Sequence, residues 1–342
     1  MFHLIRYPSP LQTGQTIGVT APSSGVGKEL HSILHDSKRQ FEKRGYNVTI
    51  GDTAWTEVKS ASDTKEVRAA ELMNMLTTPE IAAIIPPWGG EILMEILPLL
   101  KWDAIEPKWI LGYSDLSTLL FALTLKTGIA TAHGTNFVDL RSDEWDPVTS
   151  KFLDILTANE GSVIEQQSSE KFQSEWQHYA PPNPYVFKLD SNTYWEVLGG
   201  GKFDVTGRFL GGCIDTISHL VGTPYGDVTA FQKNHLQDEP IIWYLENCDL
   251  SATDFHRTML QMTYAGWFNN STGILFGRSP SGQSVGDFTI LDSMKRISEL
   301  TGLPIVYNVD IGHIPPQITL VNGAAGRVSV KDGKGKVTMK YK

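Results

Sequence analysis

The stretch Trp109-Ile110-Leu111-Gly112-Tyr113-Ser114-Asp115-Leu116 runs from an apolar strand through one glycine into a helix predicted over Leu116 to Lys126. A strand that turns this sharply into a helix lifts the residue at its apex above the sheet, at the helix N-terminus. Backbone N–H groups there favour a developing negative charge, so Ser114 is a candidate nucleophile. The alternative is that Ser114 or Asp115 only caps the helix, since both residue types are favoured at that position.

Short β-branched runs alternate with amphipathic stretches around this turn, which is typical of a parallel sheet covered by helices on both faces. The strand candidates are Thr16 to Thr20, Tyr46 to Ile50, Ile81 to Ile85, Trp109 to Leu111 and Ile129 to Ala132. The helix candidates are Lys28 to Arg44, Lys65 to Leu76, Glu91 to Leu100 and Leu116 to Lys126. The sequence therefore predicts a doubly wound α/β domain over residues 1–160, with its site at the carboxyl ends of the strands.

A polar and proline-rich stretch interrupts this pattern, and residues 161–200 are predicted to be a linker and a candidate active-site loop. Residues 201–342 are predicted to form a second domain, which is α+β and rich in strands. Its strand candidates are Phe203 to Phe209, Ile241 to Leu245, Gly273 to Phe276 and Ile305 to Val309, followed by a β-rich tail from Gln317 to Tyr341 that turns at Asp332-Gly333-Lys334-Gly335. Its helix candidates are Ile214 to Val221, Ala252 to Trp267 and Ile290 to Leu300.

Charge and hydropathy exclude several classes of partner. The formal net charge is −9, from 29 Lys and Arg against 38 Asp and Glu. The sequence shows no basic stripe, and this argues against a nucleic-acid backbone as partner. No apolar run reaches the length of a signal peptide at the N-terminus, or the roughly 18 residues of a membrane helix. We therefore expect a cytoplasmic protein that binds neither nucleic acid nor a membrane.

The sequence also predicts that no metal or cofactor takes part. The two cysteines, Cys213 and Cys248, form neither a disulfide framework nor a metal-binding CxxC pattern. Both are interpreted as small buried apolar residues rather than nucleophiles. The nine histidines are scattered without metal-ligand spacing.

A serine that attacks an acyl group needs two N–H donors aimed at the oxyanion. Pro86-Pro87-Trp88-Gly89-Gly90-Glu91 follows the third strand candidate. The backbone amide of Gly89 or Gly90 is therefore expected beside the N–H of Asp115. A plain Gly-Gly turn is the alternative.

The same chemistry needs a histidine base. His313 is the preferred candidate because it follows the strand candidate Ile305 to Val309 and is held by Pro315-Pro316. A rigid loop after a strand is a place where a base can be positioned. His133, which follows the fifth strand candidate, is the rival.

The base in turn needs an acid that fixes its tautomer. Glu246 is the first choice, because it ends the apolar strand Trp243-Tyr244-Leu245. Asp249 and Asp310 are competitors, and spacing alone does not exclude either of them.

Taken in order, these motifs resemble those of the LD-carboxypeptidases and their relatives, the microcin C immunity peptidases. The likeness covers nearly the whole chain and rests on Gly112-Tyr113-Ser114-Asp115, Gly89-Gly90, Thr206-Gly207-Arg208-Phe209-Leu210-Gly211-Gly212, Leu245-Glu246 and Asp310-Ile311-Gly312-His313. In that family the serine of the G-Y-S-D turn is the nucleophile, the histidine of the late G-H motif is the base, and the glutamate orients it. The resemblance implies these roles for Ser114, His313 and Glu246, and it implies a homodimer.

The resemblance leaves two branches of the family open. Pro87-Trp88-Gly89-Gly90-Glu91 looks more like the microcin-immunity branch than the R-G-G-Y-G of many carboxypeptidases, and Cys213 stands where a G-G-N sequence is common. The immunity branch implies a small peptidyl or aminoacyl nucleotide as substrate. The carboxypeptidase branch implies release of the terminal D-alanine from a murein tetrapeptide.

Substrate binding is predicted to involve Gly89 and Trp195. In the immunity relatives a tryptophan stacks on the nucleobase, and Trp195 is its best positional match. Trp176 is a second candidate, and the alternative is that Trp195 is a linker residue packed against either domain.

A different class of function is a nucleotide- or peptide-binding protein without catalysis. Ser23-Ser24-Gly25-Val26-Gly27-Lys28 follows the first strand candidate, as a phosphate loop would. However, Pro22 replaces the first glycine of that motif, and Glu29 stands where Ser or Thr is required. The sequence therefore favours the serine hydrolase.

Overall fold

The structure is a computed structural model that describes residues 4–175, 181–237 and 239–342. Its helices are α1 (His31–Lys43), α2 (Lys65–Thr77), α3 (Leu116–Thr127), α4 (Phe152–Leu156), α5 (Ile214–Ile217), α6 (Val228–His235), α7 (Ala252–Tyr264) and α8 (Ile290–Thr301). Its strands are β1 (Thr16–Val19), β2 (Asn47–Ile50), β3 (Ile81–Ile84), β4 (Trp109–Gly112), β5 (Thr131–His133), β6 (Val163–Gln167), β7 (Lys171–Phe172), β8 (Ser191–Asn192), β9 (Glu196–Val197), β10 (Phe203–Cys213), β11 (Ile241–Glu246), β12 (Ser271–Gly277), β13 (Ile305–Val309), β14 (Leu320–Asn322), β15 (Ala325–Lys331) and β16 (Lys334–Lys340).

The first sheet has six strands in the order β14-β5-β4-β3-β1-β2. Strands β1 to β5 pair in parallel, and β14 runs antiparallel to β5. The order 2-1-3-4-5 is that of a doubly wound sheet, whose ligand sites lie at the carboxyl ends of the strands where the order reverses, here between β1 and β3. The predicted doubly wound domain is confirmed.

The second sheet has eight strands in the order β6-β16-β15-β10-β11-β12-β13-β9. Its centre, β10 to β13, is parallel, and its outer strands are antiparallel. Of the predicted turn, Asp332 and Gly333 form the loop between β15 and β16, with φ angles of 50° and 76°, whereas Lys334 and Gly335 already belong to β16. Two positive φ angles in a two-residue loop are what the favoured type I′ hairpin turn requires. The predicted β-rich second domain is confirmed.

Strands from distant parts of the chain complete both sheets. β6 and β9 lie within residues 161–200, and they pair with β16 and β13 of the second sheet. β14 belongs to the sequence after residue 201, yet it pairs with β5 of the first sheet. The domain boundaries at 160 and 200 stay a prediction.

Helix α3 lies in the core between the two sheets. All residues from Leu116 to Leu125 are buried, and the helix packs against β4 and β5 on one side and β10 on the other. A helix that is apolar all round is expected in such a place. Gly128 ends it in the left-handed conformation at φ 68°. No described helix, α3 included, combines the length and the apolar character needed to cross a membrane.

Two predicted helices differ from the observed ones. The candidate over Glu91 to Leu100 is a 3-10 helix over Leu93–Leu99 that contains Pro98. Proline lacks an N–H donor and disrupts a regular α-helix, which favours this shorter form. The candidate over Ile214 to Val221 is α-helical only over α5 and continues as a 3-10 helix over Ser218–Leu220.

Candidate active site

Ser114 stands at the apex of the turn between β4 and α3, with φ 66°. Side chains other than glycine adopt this left-handed conformation at a cost of roughly 1–2 kcal/mol, and such strain is concentrated at functional sites. The N–H of Ser117 donates to the carbonyl oxygen of Ser114 at 2.8 Å, so α3 begins directly after the turn. The hydroxyl of Ser114 therefore lies at a helix N-terminus, as the sequence predicts.

The Asp115 carboxylate joins three loops at the ends of the parallel strands. It makes no cap bond to α3, although Asp115 occupies the N-cap position. It accepts hydrogen bonds from Ser23 Oγ at 2.6 Å and Leu93 N at 2.9 Å. Ser23 follows β1 and Leu93 follows β3, so the buried carboxylate fixes these loops to the Ser114 turn. Capping alone does not account for Asp115.

Gly89 and Gly90 follow β3 and lie beside the turn. A Cβ on Gly89 would stand 2.8 Å from Asp115 N and 2.9 Å from Ser114 Oγ. A Cβ on Gly90 would stand 2.4 Å from Ser23 Oγ. Both positions exclude a side chain, so close approach of the backbone requires glycine here. The backbone of Gly89 borders the space around Ser114 Oγ, and the role of the Gly90 N–H as an oxyanion donor stays a prediction.

The structure brings His313 and Glu246 to Ser114. His313 Nε2 lies 3.0 Å from Ser114 Oγ, and His313 Nδ1 lies 2.8 Å from Glu246 Oε2. The ring of Tyr113 packs edge-on against the imidazole, with ring centroids 5.0 Å apart. Three residues from three separate motifs thus form one line of hydrogen bonds.

Burial and charge act against each other in the Glu246–His313 pair. Glu246 has no exposed surface, and burial raises its pKa, but the charge and hydrogen bond of His313 hold that pKa below its usual value. Burial lowers the pKa of His313, but the charge and hydrogen bond of Glu246, together with Cys248, outweigh burial and raise that pKa well above its usual value. The carboxylate therefore favours a protonated imidazole, the state that forms when a histidine accepts a proton from a serine.

The rival residues make other contacts. His133 is buried with its ring centroid 5.4 Å from that of Tyr244, and burial lowers its pKa to about 4. The N–H of Asp249 donates to Asp215 at 2.8 Å. His313, rather than His133, therefore contacts Ser114, and Glu246, rather than Asp249, contacts His313.

Asp310, the remaining rival, holds the loop that carries His313. It is fully buried and accepts from Ser169 N at 2.9 Å and from Ser169 Oγ at 2.6 Å. Its carboxylate also pairs with Arg278 at 2.7 Å. The same guanidinium donates to the carbonyl oxygen of Ile314 at 3.2 Å. Arg278 and Asp310 thus fix the backbone on both sides of His313.

Trp195 does not lie at this site, which corrects its predicted role in substrate binding. The indole is 1% exposed, and its Nε1 donates to Asp310 Oδ2 at 2.8 Å. A Cβ on Gly335 would fall 1.9 Å from the ring, so the strand β16 packs directly against it. A ring buried in this way is a packing residue. Trp176, the second candidate, lies outside the described residues.

A cavity of about 260 Å³ lies beside Ser114 and His313. It is also lined by Trp88, Asn136 and Arg141, which the sequence analysis did not single out. Residues Asn136 and Arg141 lie just after the fifth strand candidate, at the same edge of the sheet as Ser114. Their position after a parallel strand could have identified both residues from the sequence, because the carboxyl ends of neighbouring parallel strands meet at one edge of the sheet.

The turn that carries Asn136 and Arg141 is rigidly built. Asn136 and Asp139 cap each other's backbone at the start of the 3-10 helix Phe137–Leu140. The N–H of Phe137 donates to the carbonyl oxygen of Pro86 at 3.1 Å, which fixes this turn to the loop after β3. Burial raises the pKa of Asp139 to about 6, although Arg141 lowers it.

Among the described residues, one group of three side chains has donor atoms close enough to hold a metal ion. Cys213, Glu246 and His313 bring these atoms within 4.8 Å of one another. Glu246 and His313 are already hydrogen-bonded to each other, and burial raises the pKa of the Cys213 thiol well above its usual value. Because a metal binds the thiolate, this setting suits a proton relay better than a metal centre.

Comparison with known proteins identifies both halves of the chain. Residues 17–134 match the model of the LD-carboxypeptidase N-terminal domain, and residues 206–328 match that of the LD-carboxypeptidase C-terminal domain. A putative carboxypeptidase of Vibrio cholerae is 26% identical over 94% of this chain and 94% of its own length. The microcin C7 self-immunity protein MccF of Escherichia coli is 23% identical over 97% of this chain and 96% of its own length.

Solved structures show the same fold. The crystal structure of an MccF-like protein from Bacillus anthracis covers 98% of this chain and 100% of its own, with a TM-score of 0.84 and 24% identity. A structure of MccF in complex with aspartyl sulfamoyl adenosine covers 98% of this chain and 99% of its own, with a TM-score of 0.81 and 22% identity.

Proposed function

Because the chain belongs to the LD-carboxypeptidase family of serine peptidases, we propose that it hydrolyses an amide bond through an acyl-enzyme on Ser114. The observation that carries this proposal is the line of hydrogen bonds from Glu246 through His313 to Ser114, with lengths of 2.8 and 3.0 Å. This is the arrangement by which a histidine activates a serine and an acid orients the histidine.

In the proposed reaction, Ser114 Oγ attacks the carbonyl carbon of the substrate while His313 Nε2 takes the hydroxyl proton. The N–H groups of Asp115 and Gly90 bind the oxyanion that forms. His313 then gives its proton to the leaving nitrogen as the C–N bond breaks. Water attacks the acyl-enzyme by the same route, and the acid product leaves with Ser114 restored.

Glu246 supports both steps. Its hydrogen bond to Nδ1 holds the imidazole in the tautomer whose Nε2 faces Ser114, with its lone pair available. Its buried charge stabilises the imidazolium that forms in the transition state. Since Glu246 has no exposed surface, water does not screen this interaction.

For the substrate, we propose a small peptidyl or aminoacyl nucleotide. The support is the likeness to MccF over nearly the whole chain, together with the MccF complex that contains aspartyl sulfamoyl adenosine. In this chain the half-buried ring of Trp88 lines the cavity beside Ser114. Stacking of a nucleobase on an aromatic ring contributes roughly 1–3 kcal/mol to binding.

The second candidate substrate is a murein tetrapeptide that loses its terminal D-alanine. The family models and the Vibrio cholerae relative favour it, because both carry the name of a carboxypeptidase. The guanidinium of Arg141 in the cavity also suits a peptide with a free terminal carboxylate. A binding protein without catalysis is the third candidate.

One experiment separates the three candidates. The protein is incubated separately with an LD-tetrapeptide and with aspartyl sulfamoyl adenosine, and the products are identified by mass. We expect the wild-type protein to hydrolyse the bond between the aspartyl group and the sulfamoyl nitrogen of aspartyl sulfamoyl adenosine. We expect no hydrolysis by Ser114→Ala. Release of D-alanine alone would favour the carboxypeptidase, whereas failure of a fluorophosphonate probe to label Ser114 in folded protein would favour the binding protein.

A cytoplasmic location and a homodimer are further proposals drawn from the sequence. Light scattering tests the homodimer, because a dimer has twice the mass of one chain, which is 37.9 kDa. A mass of one chain at micromolar concentration would contradict the dimer.

A further inference from the structure

We propose that Cys213 is a positioning residue for the relay: its thiol donates a hydrogen bond to Glu246 Oε1 and so keeps Oε2 turned toward His313. This inference rests on the proposed function and deepens it, because it adds a side chain that acts on the reaction only through Glu246. Within the described part of the chain, the residues that line the cavity beside Ser114 do not include Cys213.

The first argument is that one oxygen of the buried Glu246 carboxylate lacks an ordinary partner. Oε2 lies 2.8 Å from His313 Nδ1, whereas Oε1 has no hydrogen-bond partner of regular geometry among the described residues. A buried charged oxygen without a donor costs free energy. A carboxylate that is held at one oxygen can also turn about its Cγ–Cδ bond. A donor at Oε1 removes both disadvantages.

The second argument is the place of Cys213. It ends β10 and is the register partner of Glu246 in the parallel pair of β10 and β11, so both side chains lie on the same face of the sheet. Its Sγ atom lies within 4.8 Å of a carboxylate oxygen of Glu246 and of a ring nitrogen of His313. Cys213 is 1% exposed, and its N–H donates to Ser117 Oγ of α3 at 2.9 Å. The thiol therefore holds a constant position beside the relay.

The third argument is that the thiol keeps its proton. Burial and the negative charge of Glu246 raise the pKa of Cys213 well above its usual value, so the group is a neutral donor at physiological pH. Burial raises the pKa of Glu246, whereas the charge and hydrogen bond of His313 and, to a smaller extent, the hydrogen bond of Cys213 lower it. A thiol is a weak donor, but a charged acceptor strengthens the bond.

Asp215 is the competing acceptor of the same hydrogen. Cys213 Sγ lies 3.4 Å from Asp215 Oδ2, and a thiol hydrogen rotates about the Cβ–Sγ bond, so one sulfur can serve either carboxylate. Asp215 is half-buried and already accepts three backbone N–H groups, from Cys248 at 2.9 Å, Asp249 at 2.8 Å and Leu250 at 3.2 Å. Glu246 is fully buried, so bulk water does not replace a missing donor there. The hydrogen therefore stabilises Glu246 more than Asp215.

Infrared spectroscopy tests the acceptor directly, because the S–H stretching band moves to lower wavenumber as the thiol donates a stronger hydrogen bond. In a Cys248→Ser background Cys213 carries the only thiol, since the sequence has two cysteines. We expect Glu246→Gln to move the band to higher wavenumber, because it removes the charge of the acceptor. Asp215→Asn is the matched control and should move the band less. A larger shift in Asp215→Asn, or no shift in either variant, overturns the proposal.

The effect on the relay is measured as the rate at which a fluorophosphonate labels Ser114, which requires no knowledge of the substrate. Cys213→Ala removes the donor and should lower this rate about ten-fold, whereas Cys213→Ser keeps a donor and should restore the rate to within a factor of about three. Ile217→Val, which removes a methyl group from a buried residue of α5, is the packing control and should keep the wild-type rate.

Two kinetic outcomes overturn the proposal. Labelling of Cys213→Ala as fast as that of Ile217→Val would show that Cys213 does not act on the relay. Labelling of Cys213→Ser as slow as that of Cys213→Ala would show that the loss comes from packing and not from a missing donor. If Cys213→Ala does not fold, the infrared comparison decides.

Failure of the proposed function has a separate signature. It would appear as wild-type protein that takes up no fluorophosphonate and hydrolyses neither the LD-tetrapeptide nor aspartyl sulfamoyl adenosine. The infrared comparison involves no turnover, so it reports which carboxylate accepts from Cys213 whatever the protein hydrolyses.

Discussion

Gly89 packs against Ser114 so closely that one added carbon on Gly89 would stand 2.7 Å from Ser114 Cβ and 2.9 Å from Ser114 Oγ. Carbon atoms in ordinary contact are about 3.5–4.0 Å apart. The loop after β3 and the turn after β4 therefore meet without room for a side chain. On the side of Gly89, the space beside the hydroxyl is bounded by backbone.

This contact makes Gly89→Ala a test of the site. The added methyl group should displace the Ser114 turn or the N–H of Asp115, and we expect kcat/KM to fall about a hundred- to a thousand-fold, as when an oxyanion donor is lost. Gly27→Ala is the control, because Gly27 has a φ of −57° and its Cβ would meet only the flexible end of the Glu29 side chain. Turnover by Gly89→Ala equal to that of Gly27→Ala would show that Gly89 does not border the reacting atoms.

The second prediction concerns the proposed relay. Ser114→Ala, His313→Ala and the double variant should each lower kcat by a factor of at least about 10³, with the double variant little worse than either single one. The effects of substitutions on kcat are strongly non-additive when the residues act as one unit. His219→Ala, which removes an exposed histidine, should leave kcat unchanged. Substantial turnover by Ser114→Ala would end the covalent mechanism.

The third prediction is a shift in the pH profile. A histidine base must be neutral, so kcat/KM should fall as the pH drops through the pKa of His313, which Glu246 raises above its usual value. Glu246→Gln removes that charge and should move the acidic limb to lower pH, while it lowers the plateau by a factor of about 10³–10⁴. Profiles of kcat/KM from pH 5 to 9 measure both effects. An acidic limb at the same pH in both proteins would contradict the assignment of Glu246.

The fourth prediction separates two tryptophans. Trp195→Ala should lower the free energy of unfolding by about 3–5 kcal/mol, because the ring is 1% exposed and bonded to Asp310, and it should affect all substrates alike. Trp88→Ala should raise KM mainly for substrates that contain a nucleobase, because Trp88 lines the cavity. Denaturant titration and KM values on paired substrates measure the two effects. A selective rise in KM in Trp195→Ala would restore its predicted role in stacking.

The fifth prediction is that activity survives exhaustive chelation. The three side chains that lie close enough to hold a cation include Glu246 and His313, whose mutual hydrogen bond a cation would replace. Metal binding there would oppose the proposed chemistry rather than supply it. A loss of turnover on dialysis against a chelator, restored only by added zinc, would contradict this prediction.

The sequence predicts the first sheet well because its signals are local. Alternating strands and helices, and the sharp Trp109–Leu116 turn, depend on residues that are neighbours in the chain. The strands β1 to β5 accordingly lie close to their predicted positions. The contact between Ser114 and His313 spans 199 residues. The rigid loop after a strand made His313 the preferred base, and the ordered motifs of a known family pointed to the same residue.

The sequence does not show which aromatic ring faces the cavity. Trp195 and Trp88 both lie in loop-like stretches, and their burial depends on strands that pack against them from elsewhere in the chain. Gly335 covers Trp195, whereas Trp88 reaches the cavity and donates from Nε1 to the carbonyl oxygen of Gly25 at 3.1 Å. Arg141 was missed for a related reason, because a single arginine after a strand has no distinctive local pattern.

The pairing of β14 with β5 has a consequence for the order in which the protein is made. Ribosomes release the chain from its N-terminus, so the edge of β5 stays unpaired until Leu320–Asn322 has emerged. An unpaired strand edge is open to pairing with another chain. His313 emerges just before β14, so the nascent protein acquires its proposed base and the pairing partner of β5 almost together. A ribosome that stalls before this point leaves a chain that lacks the proposed base and is prone to aggregate through the open edge of β5.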